Sequence, residues 1–281
     1  MKAMLRHIGW VLSENVVTGL AGLGFALLAI VGVLADWIAP YDPFVTNVAI
    51  ALQPPSSMHW FGTDQLGRDV LSRLILATRL DLVIAITSVG ISFLVGAVIG
   101  ALCGYYMGWM DRVVGRCVDV LMAFPLFVLA MAMVAALGNH VENVIIATAA
   151  INLPFYIRFA RTEVNVRRGL GWVEAARASG EGNTAVVMRF LLPNILPVMA
   201  VQISLNLGWA ILNAAGLSFL GLGITAPTPE WGMMVAEGAR FINAGHWWLV
   251  AFPGAALMFA VLCFNLLGDG LRDILDPRMR T

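Results

Sequence analysis

The chain has 281 residues, of which 60% are hydrophobic and only 12% are charged, and its formal net charge is zero. Soluble domains are about one-quarter charged, so this composition excludes an ordinary soluble protein and indicates a membrane protein. A net charge of zero gives no support to a polyanionic ligand, and we expect no nucleic-acid partner.

Charge-free apolar runs predict the membrane spans, because about 20 apolar residues are needed to cross about 30 Å of hydrocarbon. Six runs qualify, and the fourth is the shortest and contains Asn152 and Pro154. We therefore predict an all-α integral membrane protein with six transmembrane helices, the fourth kinked at its proline. A five-span alternative would place the two chain ends on opposite sides. In chain order the runs lie between Glu14 and Asp36, between Asp81 and Asp111, between Asp119 and His140, and at residues 143–157, 198–220 and 248–268.

The first run predicts a transmembrane helix over residues 15–38, after an N-terminal segment of residues 1–14. Lys2 and Arg6 would suit the basic region of a signal peptide. The apolar run is too long for the hydrophobic region of such a peptide, so we expect a retained helix rather than cleavage.

Residues 39–81 form the first predicted outer segment. Prolines keep its first part extended or turning, and Thr63 or Asp64 can then cap a helix. Apolar residues recur along one helical face, and two oppositely charged pairs stand four residues apart. We predict an amphipathic helix on the outer membrane surface or against the mouth of the bundle. The apolar positions are Leu66, Val70, Leu74 and Ala77, and the pairs are Asp64 with Arg68 and Asp69 with Arg73.

Basic residues fix the predicted orientation, because they concentrate on the cytoplasmic side of a membrane protein. With six spans and a cytoplasmic N-terminus, thirteen of the seventeen basic residues lie in inner segments. The N-terminus, the C-terminal residues 269–281 and the loop around residues 161–197 are then cytoplasmic. The four outer basic residues are Arg68, Arg73, Arg79 and Arg240.

A second outer segment follows the fifth span. Pro227 and Pro229 interrupt the chain, and residues 230–241 predict a short helix. Trp247 and Trp248 stand where an aromatic belt at the membrane interface is expected, so we assign them no ligand role.

Catalytic and metal-binding patterns are missing from the sequence. There is no P-loop, no HExxH, and the GxSxG pattern fails at Leu220. The predicted spans contain no carboxylate of the kind that ion-coupled transporters use. We expect neither an enzyme nor a metal site, and a secondary transporter or channel is the alternative from another class. The cysteines (Cys103, Cys117, Cys263) show no CxxC spacing, and the histidines (His7, His59, His140, His246) are scattered.

The longest predicted cytoplasmic insertion lies between the fourth and fifth spans, at about residues 161–197. Its GWVEAARASGEG stretch predicts a short helix with small side chains, which allow another surface to come close. One face of this predicted helix carries Trp172, Ala175, Ala176 and Ser179.

Glycines end that helix, because glycine accepts the positive φ of a helix C-terminus. The relevant residues are Gly180 and Gly182. A second helix can then begin with Asn183 as its cap and stop before Pro193. Such a helix–glycine–helix unit is suited to docking on a protein rather than to crossing lipid.

The loop resembles the EAA loop of ABC importer permeases, whose pattern is EAA-x3-G-x9-I-x-LP. The matching residues are Glu174–Ala176, Gly180 and Phe190–Pro193, with Phe190 in the isoleucine position. Three further regions are similar to the C-type permeases of the dipeptide, oligopeptide and nickel importers. The four motifs occur in the family's order along nearly the whole chain. The three regions are FGTDQLGRDVLSRL (61–74), GLSFLGLG with PEWGMM (216–223 and 229–234) and NLLGDGLRDILDPR (265–278).

The resemblance implies a MetI-like fold, with residues 82–268 as a five-helix core, in a multi-pass protein of the bacterial inner membrane. It implies a heterodimer with a homologous B-type permease, two ATP-binding subunits and an extracytoplasmic substrate-binding protein. No cofactor is expected on this chain, and ATP and Mg belong to the ATPase subunits. The implied ATPase-coupling residues are Glu174, Ala175, Ala176, Gly180, Leu192 and Pro193.

The implied cargo is a di- or oligopeptide. Nickel, or another small solute such as an opine or a sugar, is the alternative within the same machinery. Asn152, Asn206 and Asn213 are candidates for the translocation path, although they could equally satisfy hydrogen bonds between helices.

Overall fold

The structure is a computed structural model that describes residues 16–275, so the whole predicted N-terminal segment (1–14) and the end of the predicted C-terminal segment lie outside it. The described residues form helices and contain no β-strand, as the sequence predicts. Nine helices are labelled here: α1 Val16–Val33, α2 Val70–Tyr106, α3 Gly108–Ala123, α4 Leu126–Leu137, α5 Val141–Arg167, α6 Gly171–Ala178, α7 Leu192–Phe219, α8 Trp231–Ala239 and α9 Trp248–Leu275.

Five helical stretches among the described residues are long and apolar enough to cross a membrane: α1, α2, α5, α7 with the turns that precede it, and α9. A sixth span exists if α3 and α4 are counted together, although they are bent by 91°. The predicted third run is therefore not one straight helix. Phe124 takes an extended conformation because it precedes Pro125, and this ends α3. The fourth span, the shortest in the sequence, is a 27-residue helix that includes Pro154.

Helix α2 begins later than the predicted amphipathic helix and continues without interruption into the second predicted span. It starts at Val70, where the Asp69 carboxylate accepts hydrogen bonds from the backbone N–H (2.8 Å) and hydroxyl (2.7 Å) of Ser72. It then continues for 37 residues without a break. The separate amphipathic helix starting at Thr63 or Asp64 is therefore wrong, because local turns precede Val70 and its apolar face belongs to the span itself.

The charged residues of that turn form a buried network rather than a solvated helix face. Arg68 donates to Asp64 at 2.6 Å, as predicted, but from a loop. Arg73 does not pair with Asp69, since Asp69 caps α2. Arg73 instead lies 3.5 Å from Asp64 and 3.7 Å from Glu237 of α8. This network ties the loop before α2 to α8.

Helix α8 closes over the end of the bundle opposite residues 161–197. A Cβ on Gly232 would lie 2.2 Å from the Ala215 carbonyl oxygen, so α8 and α7 are in backbone contact. Trp248 is only 4% exposed and donates its indole N–H to the Thr63 carbonyl at 3.3 Å. The aromatic-belt prediction is thus wrong for Trp248, while Trp247 is 54% exposed and remains compatible with it.

Two buried carboxyl groups meet at the first turn of α8. Glu230 accepts the backbone N–H groups of Gly232 (2.9 Å) and Met233 (2.7 Å), and Asp81 accepts that of Trp231 (3.1 Å). Asp81 lies inside α2, directly before the second predicted apolar run, in the part of the helix that the sequence assigns to the outer segment. Burial raises the pKa of Glu230, since a charged carboxylate is poorly solvated there.

We expect Glu230 to make the protein more stable in mild acid. Its raised folded-state pKa means that the folded protein holds the proton more tightly than the unfolded chain. The stabilisation is complete below the ordinary carboxyl value of 4.5 and is lost as the pH rises through the folded-state pKa. The difference in unfolding temperature between wild type and Glu230→Gln, measured from about pH 7.5 to about pH 5, should shift in favour of wild type. A difference that does not change with pH would contradict this.

Three glycines of α2 bring it into backbone contact with α5. A Cβ would lie 2.5 Å from Tyr156 Cβ at Gly96, 2.3 Å from the Ile157 carbonyl oxygen at Gly100, and 2.5 Å from the Arg161 carbonyl oxygen at Gly104. Glycines spaced four apart form a stripe on one helix face, which permits close helix packing in membranes. This contact forms the centre of the bundle, and α7, α9 and α1 pack around it.

The chain enters α7 without the stop that the prolines predict. Residues Val186–Leu191 form a π-helical turn, and the Leu192 N–H bonds to the Val187 carbonyl five residues back. Pro193 follows in the first turn of α7, and Pro197 lies inside it. A widened turn and the packing of neighbouring helices let a membrane helix carry prolines, so they do not end the helix here.

Candidate functional site: the EAA loop

The loop around residues 161–197, called the EAA loop here, contains the predicted short helix as α6. This helix buries Val173 and Ala176 against the main hydrophobic cluster of the protein. Its other side chains are exposed, including Trp172, Glu174 and Ala175. The predicted common face is therefore divided: Ala176 anchors the helix to the bundle, and Ala175 faces outward.

The C-terminus of α6 has the hydrogen bonds of a Schellman motif. The Gly180 N–H bonds to the Arg177 carbonyl at 3.0 Å, and the Glu181 N–H bonds to the Ala176 carbonyl at 3.2 Å. Gly180 has a φ of +88°, as the sequence predicts, whereas Gly182 has an ordinary φ of −67°. One glycine, not two, makes the turn.

Tyr105, near the end of α2, holds both sides of this turn. Its hydroxyl donates to Asn183 Oδ1 at 2.8 Å and accepts from Arg177 Nε at 3.1 Å. The Arg177 guanidinium also lies 4.9 Å from the centre of the Tyr105 ring, a cation–π distance. The EAA loop is therefore attached directly to the longest helix of the bundle.

Sequence reasoning did not identify Tyr105, and it assigned Asn183 a different role. Gly182 precedes the helical turn as its cap residue, and the Asn183 side chain bonds Tyr105 rather than capping. The two remaining predicted residues lie where the loop joins α7. Leu192 packs against the hydrophobic cluster, and Pro193 is exposed.

We expect Tyr105→Phe to weaken the attachment of the EAA loop while leaving the fold intact. The variant keeps the ring beneath Arg177 but loses two hydrogen bonds, each of which contributes about 1 kcal/mol. In the ATP-driven importer that the EAA resemblance implies, substrate-stimulated ATP hydrolysis should fall, with normal amounts of protein in the membrane. Tyr106→Phe is the matched control, because the Tyr106 hydroxyl makes one exposed contact, 3.2 Å from Thr184 Oγ1. Equal effects of both variants would contradict this role of Tyr105.

Two of the three asparagines considered for the path bond to their own helices. Asn152 donates to the Thr148 carbonyl at 3.0 Å, and Asn213 donates to the Trp209 carbonyl at 2.9 Å; both are buried. Asn206 is half-buried beside the Tyr156 hydroxyl. The hydrogen bonds of Asn152 and Asn213 do not join either of them to another of the three.

The titratable residues that the structure describes form no cluster of three or more side chains suited to a metal ion. What the described part of the chain does offer is a bundle of membrane-spanning helices with a short, outward-facing helix at one end. These features are those of a multi-span membrane protein that carries one short, exposed helix outside its spans.

The comparison with known families identifies the class of this membrane protein. Residues 96–281 match the family described as binding-protein-dependent transport system inner membrane component. The chain belongs to this family of MetI-like ABC importer permeases. It is therefore a multi-pass protein of the bacterial inner membrane.

Curated relatives match nearly the whole chain. A probable D,D-dipeptide transport system permease, DdpC of Escherichia coli K12, is 38% identical over 96% of this chain and 90% of its own length. The dipeptide permease DppC of Alkalihalophilus pseudofirmus is 42% identical, over 90% of this chain and 87% of its own. The glutathione permease GsiD of Pectobacterium atrosepticum is 41% identical, over 93% and 87%.

Proposed function

We propose that this chain is the C-type permease of an ATP-driven importer for di- or oligopeptides. It forms the translocation path with a homologous B-type permease and receives cargo from an extracytoplasmic substrate-binding protein. Two cytoplasmic ATPase subunits bind ATP and Mg and perform the hydrolysis, so this chain is not itself an enzyme. The observation that carries the proposal is the exposed α6 helix, bearing the EAA residues, attached to a bundle of the permease family.

Within the EAA loop, exposed residues and buried residues have different proposed roles. Glu174 and Ala175 are exposed, so they are the residues offered to a groove on an ATPase subunit. Ala176 is buried and positions α6 on the bundle, while Gly180 closes the turn. Leu192 and Pro193 return the chain to the membrane and transmit the movement of α6 to α7.

A movement of α6 can also be transmitted to the bundle through α2. Arg177 and Asn183 both contact Tyr105, and α2 is in backbone contact with α5 at Gly96, Gly100 and Gly104. A displacement of α6 would therefore pull on α2 and α5 together as well as on α7. This arrangement supports rigid-body switching of the bundle rather than a local loop motion.

The peptide assignment is supported by the relatives, which are named as permeases for dipeptides or for glutathione, itself a small peptide. Among the candidates for the path, Asn206 is the only one that is not fully buried, and we place it on the path ahead of Asn152 and Asn213.

The test is to purify the chain with the products of neighbouring genes and to reconstitute the complex in lipid. We expect ATP hydrolysis to rise when the substrate-binding protein is loaded with a dipeptide or tripeptide, and not with nickel, an opine or a sugar. Stimulation by one of those solutes would change the assigned cargo but leave the assignment as an ATP-driven importer in place. Transport by this chain without any ATPase subunit would overturn the proposal in favour of a secondary transporter or channel.

A further inference from the structure

A cavity of about 300 Å³ lies between α3 and the second half of α5, apart from the EAA loop. This volume is at the lower end of the range for small-ligand pockets. Six of its eleven lining residues are charged, which is unusual for a protein in which charges are scarce. The charged lining residues are Asp111, Arg112, Arg116, Asp119, Arg158 and Arg161.

Two of the four arginines are neutralised inside the cavity. Arg161 makes a two-pronged ion pair with Asp111, its Nη2 lying 2.7 Å from Oδ2. Arg158 donates to Asp119 at 2.6 Å. These pairs hold α3 against α5 and use both acidic side chains of the lining.

The other two arginines are exposed and make no ion pair with any side chain that the structure describes. Arg112 and Arg116 stand four residues apart on α3, so they lie side by side on one face of the helix. The cavity therefore carries two uncompensated positive charges with fork-shaped donors, which match phosphate or carboxylate oxygens.

An apolar stripe runs along α3 directly beside these arginines. Its first four members recur at helical spacing on α3, and the fifth follows directly after the helix ends; all are exposed: Trp109, Val113, Cys117, Val120 and Phe124. A helix with basic residues on one face and Trp, Val and Phe on the neighbouring face is typical of a helix in the membrane interface. The 91° bend between α3 and α4 fits an interfacial helix followed by one that enters the membrane.

The cavity also lies near the helix ends, at the depth in the membrane where lipid headgroups are expected. Arg161 is six residues before the end of α5, or about 9 Å along the helix axis. Gly104, whose Cβ would touch the Arg161 carbonyl oxygen, is two residues before the end of α2. These helix ends carry the EAA loop, so under the proposed orientation the cavity faces the headgroups of the cytoplasmic leaflet.

We propose that this cavity is a binding site for the headgroup of an anionic phospholipid, held by Arg112 and Arg116. The phosphate accepts hydrogen bonds from the two free guanidinium groups, and the acyl chains lie along the stripe from Trp109 to Phe124. Basic pockets between helices on the cytoplasmic side favour anionic lipids in this way. A free phosphate ion would make no use of the apolar stripe, which is why the site is assigned to a lipid. The assignment rests on the proposed orientation but not on peptide as the cargo.

Cys117 provides a probe of the site, because it lies on the stripe and is exposed, while Cys103 and Cys263 are buried. The assembled transporter, labelled at Cys117 with a fluorescent maleimide, is placed in nanodiscs of phosphatidylcholine with a small fraction of brominated lipid. Brominated phosphatidylglycerol should quench the label with about tenfold preference over brominated phosphatidylcholine. Arg112→Gln/Arg116→Gln should remove the preference. Arg272→Gln, an exposed charge at the end of α9, should keep it.

Several outcomes would overturn the lipid site. Equal quenching by the two brominated lipids in wild type would show that no headgroup is selected. Full loss of the preference on adding inorganic phosphate, at constant ionic strength, would assign the cavity to a free ion. Displacement by a transported peptide would place the cavity on the substrate path. Failure to label Cys117 in the assembled transporter, with labelling of the isolated chain, would show that a partner subunit covers the stripe. None of these outcomes depends on ATP hydrolysis, so they are separate from the test of the transport function.

Discussion

Gly100→Leu is expected to destroy the packing of α2 on α5 and with it the assembled fold. A Cβ at this position would lie 2.3 Å from the Ile157 carbonyl oxygen, 2.8 Å from Ala160 Cβ and 3.0 Å from the Arg161 backbone nitrogen. Two of these atoms belong to the backbone of α5 and cannot move aside as a side chain would. Overpacking a core typically costs about 1–3 kcal/mol, and a whole leucine against backbone should cost more. We expect little of the variant in the membrane and a strongly lowered unfolding temperature.

Gly90→Leu is the matched control for Gly100→Leu, because it makes the same change on the same helix. A Cβ at Gly90 would meet no atom within 4 Å. It should insert and unfold like wild type, measured by the amount of membrane protein and by thermal unfolding in detergent. If Gly90→Leu is as damaging as Gly100→Leu, helix propensity or insertion decides the outcome and the glycine contact does not. Gly100→Ala should fall between the two.

The sequence predicted the helical class, five of the six membrane-spanning stretches and the EAA helix, because these depend on neighbouring residues. Hydropathy over about 20 residues is a local property, and so is the positive φ of Gly180 at a helix end. The bend between α3 and α4 is local as well: Phe124 precedes Pro125, and this X-Pro signal could have divided the third run.

Other features depend on residues that are far apart in the chain. Tyr105 reaches Arg177 and Asn183 across 72 and 78 positions, so no pattern within the loop points to it. The meeting of Asp81 with the first turn of α8 joins residues 150 positions apart. Helix periodicity predicted which residues of α6 share a face but not which side of the helix the bundle would cover. The sequence therefore did not show that Ala176 is buried against the bundle while Ala175 is exposed.

The same limit explains the charges before α2. Asp64 and Arg68 stand four apart, which is the spacing of a helical ion pair, but they pair across a tight turn. Arg73 has the same spacing to Asp69 and takes Glu237 and Asp64 instead, because Asp69 is used as the cap of α2. Spacing identifies possible partners, and tertiary packing selects among them.

Gly180→Val should leave the permease folded and inserted but strongly weaken the link between ATP hydrolysis and uptake. Nothing lies within 4 Å of a Cβ at Gly180, so the substitution causes no clash, and its effect comes from the backbone alone. A φ of +88° is costly for a β-branched residue, since the left-handed region costs about 1–2 kcal/mol even for an ordinary side chain. The turn that fixes Glu174 and Ala175 relative to the bundle should therefore open in most molecules, and uptake should fall about tenfold or more.

Gly182→Val is the matched control, because Gly182 also has open space at its Cβ but has a φ of −67° that valine adopts readily. Gly180→Asn should retain much of the activity, since asparagine tolerates the left-handed region. The measurements are peptide uptake, the stimulation of ATP hydrolysis by the loaded substrate-binding protein, and the amount of each variant in the membrane. Normal uptake by Gly180→Val, or equal loss in Gly182→Val, would show that the geometry of this turn does not transmit the motion. With Gly180→Asn active and Gly180→Val inactive, the backbone conformation at one residue would account for the coupling.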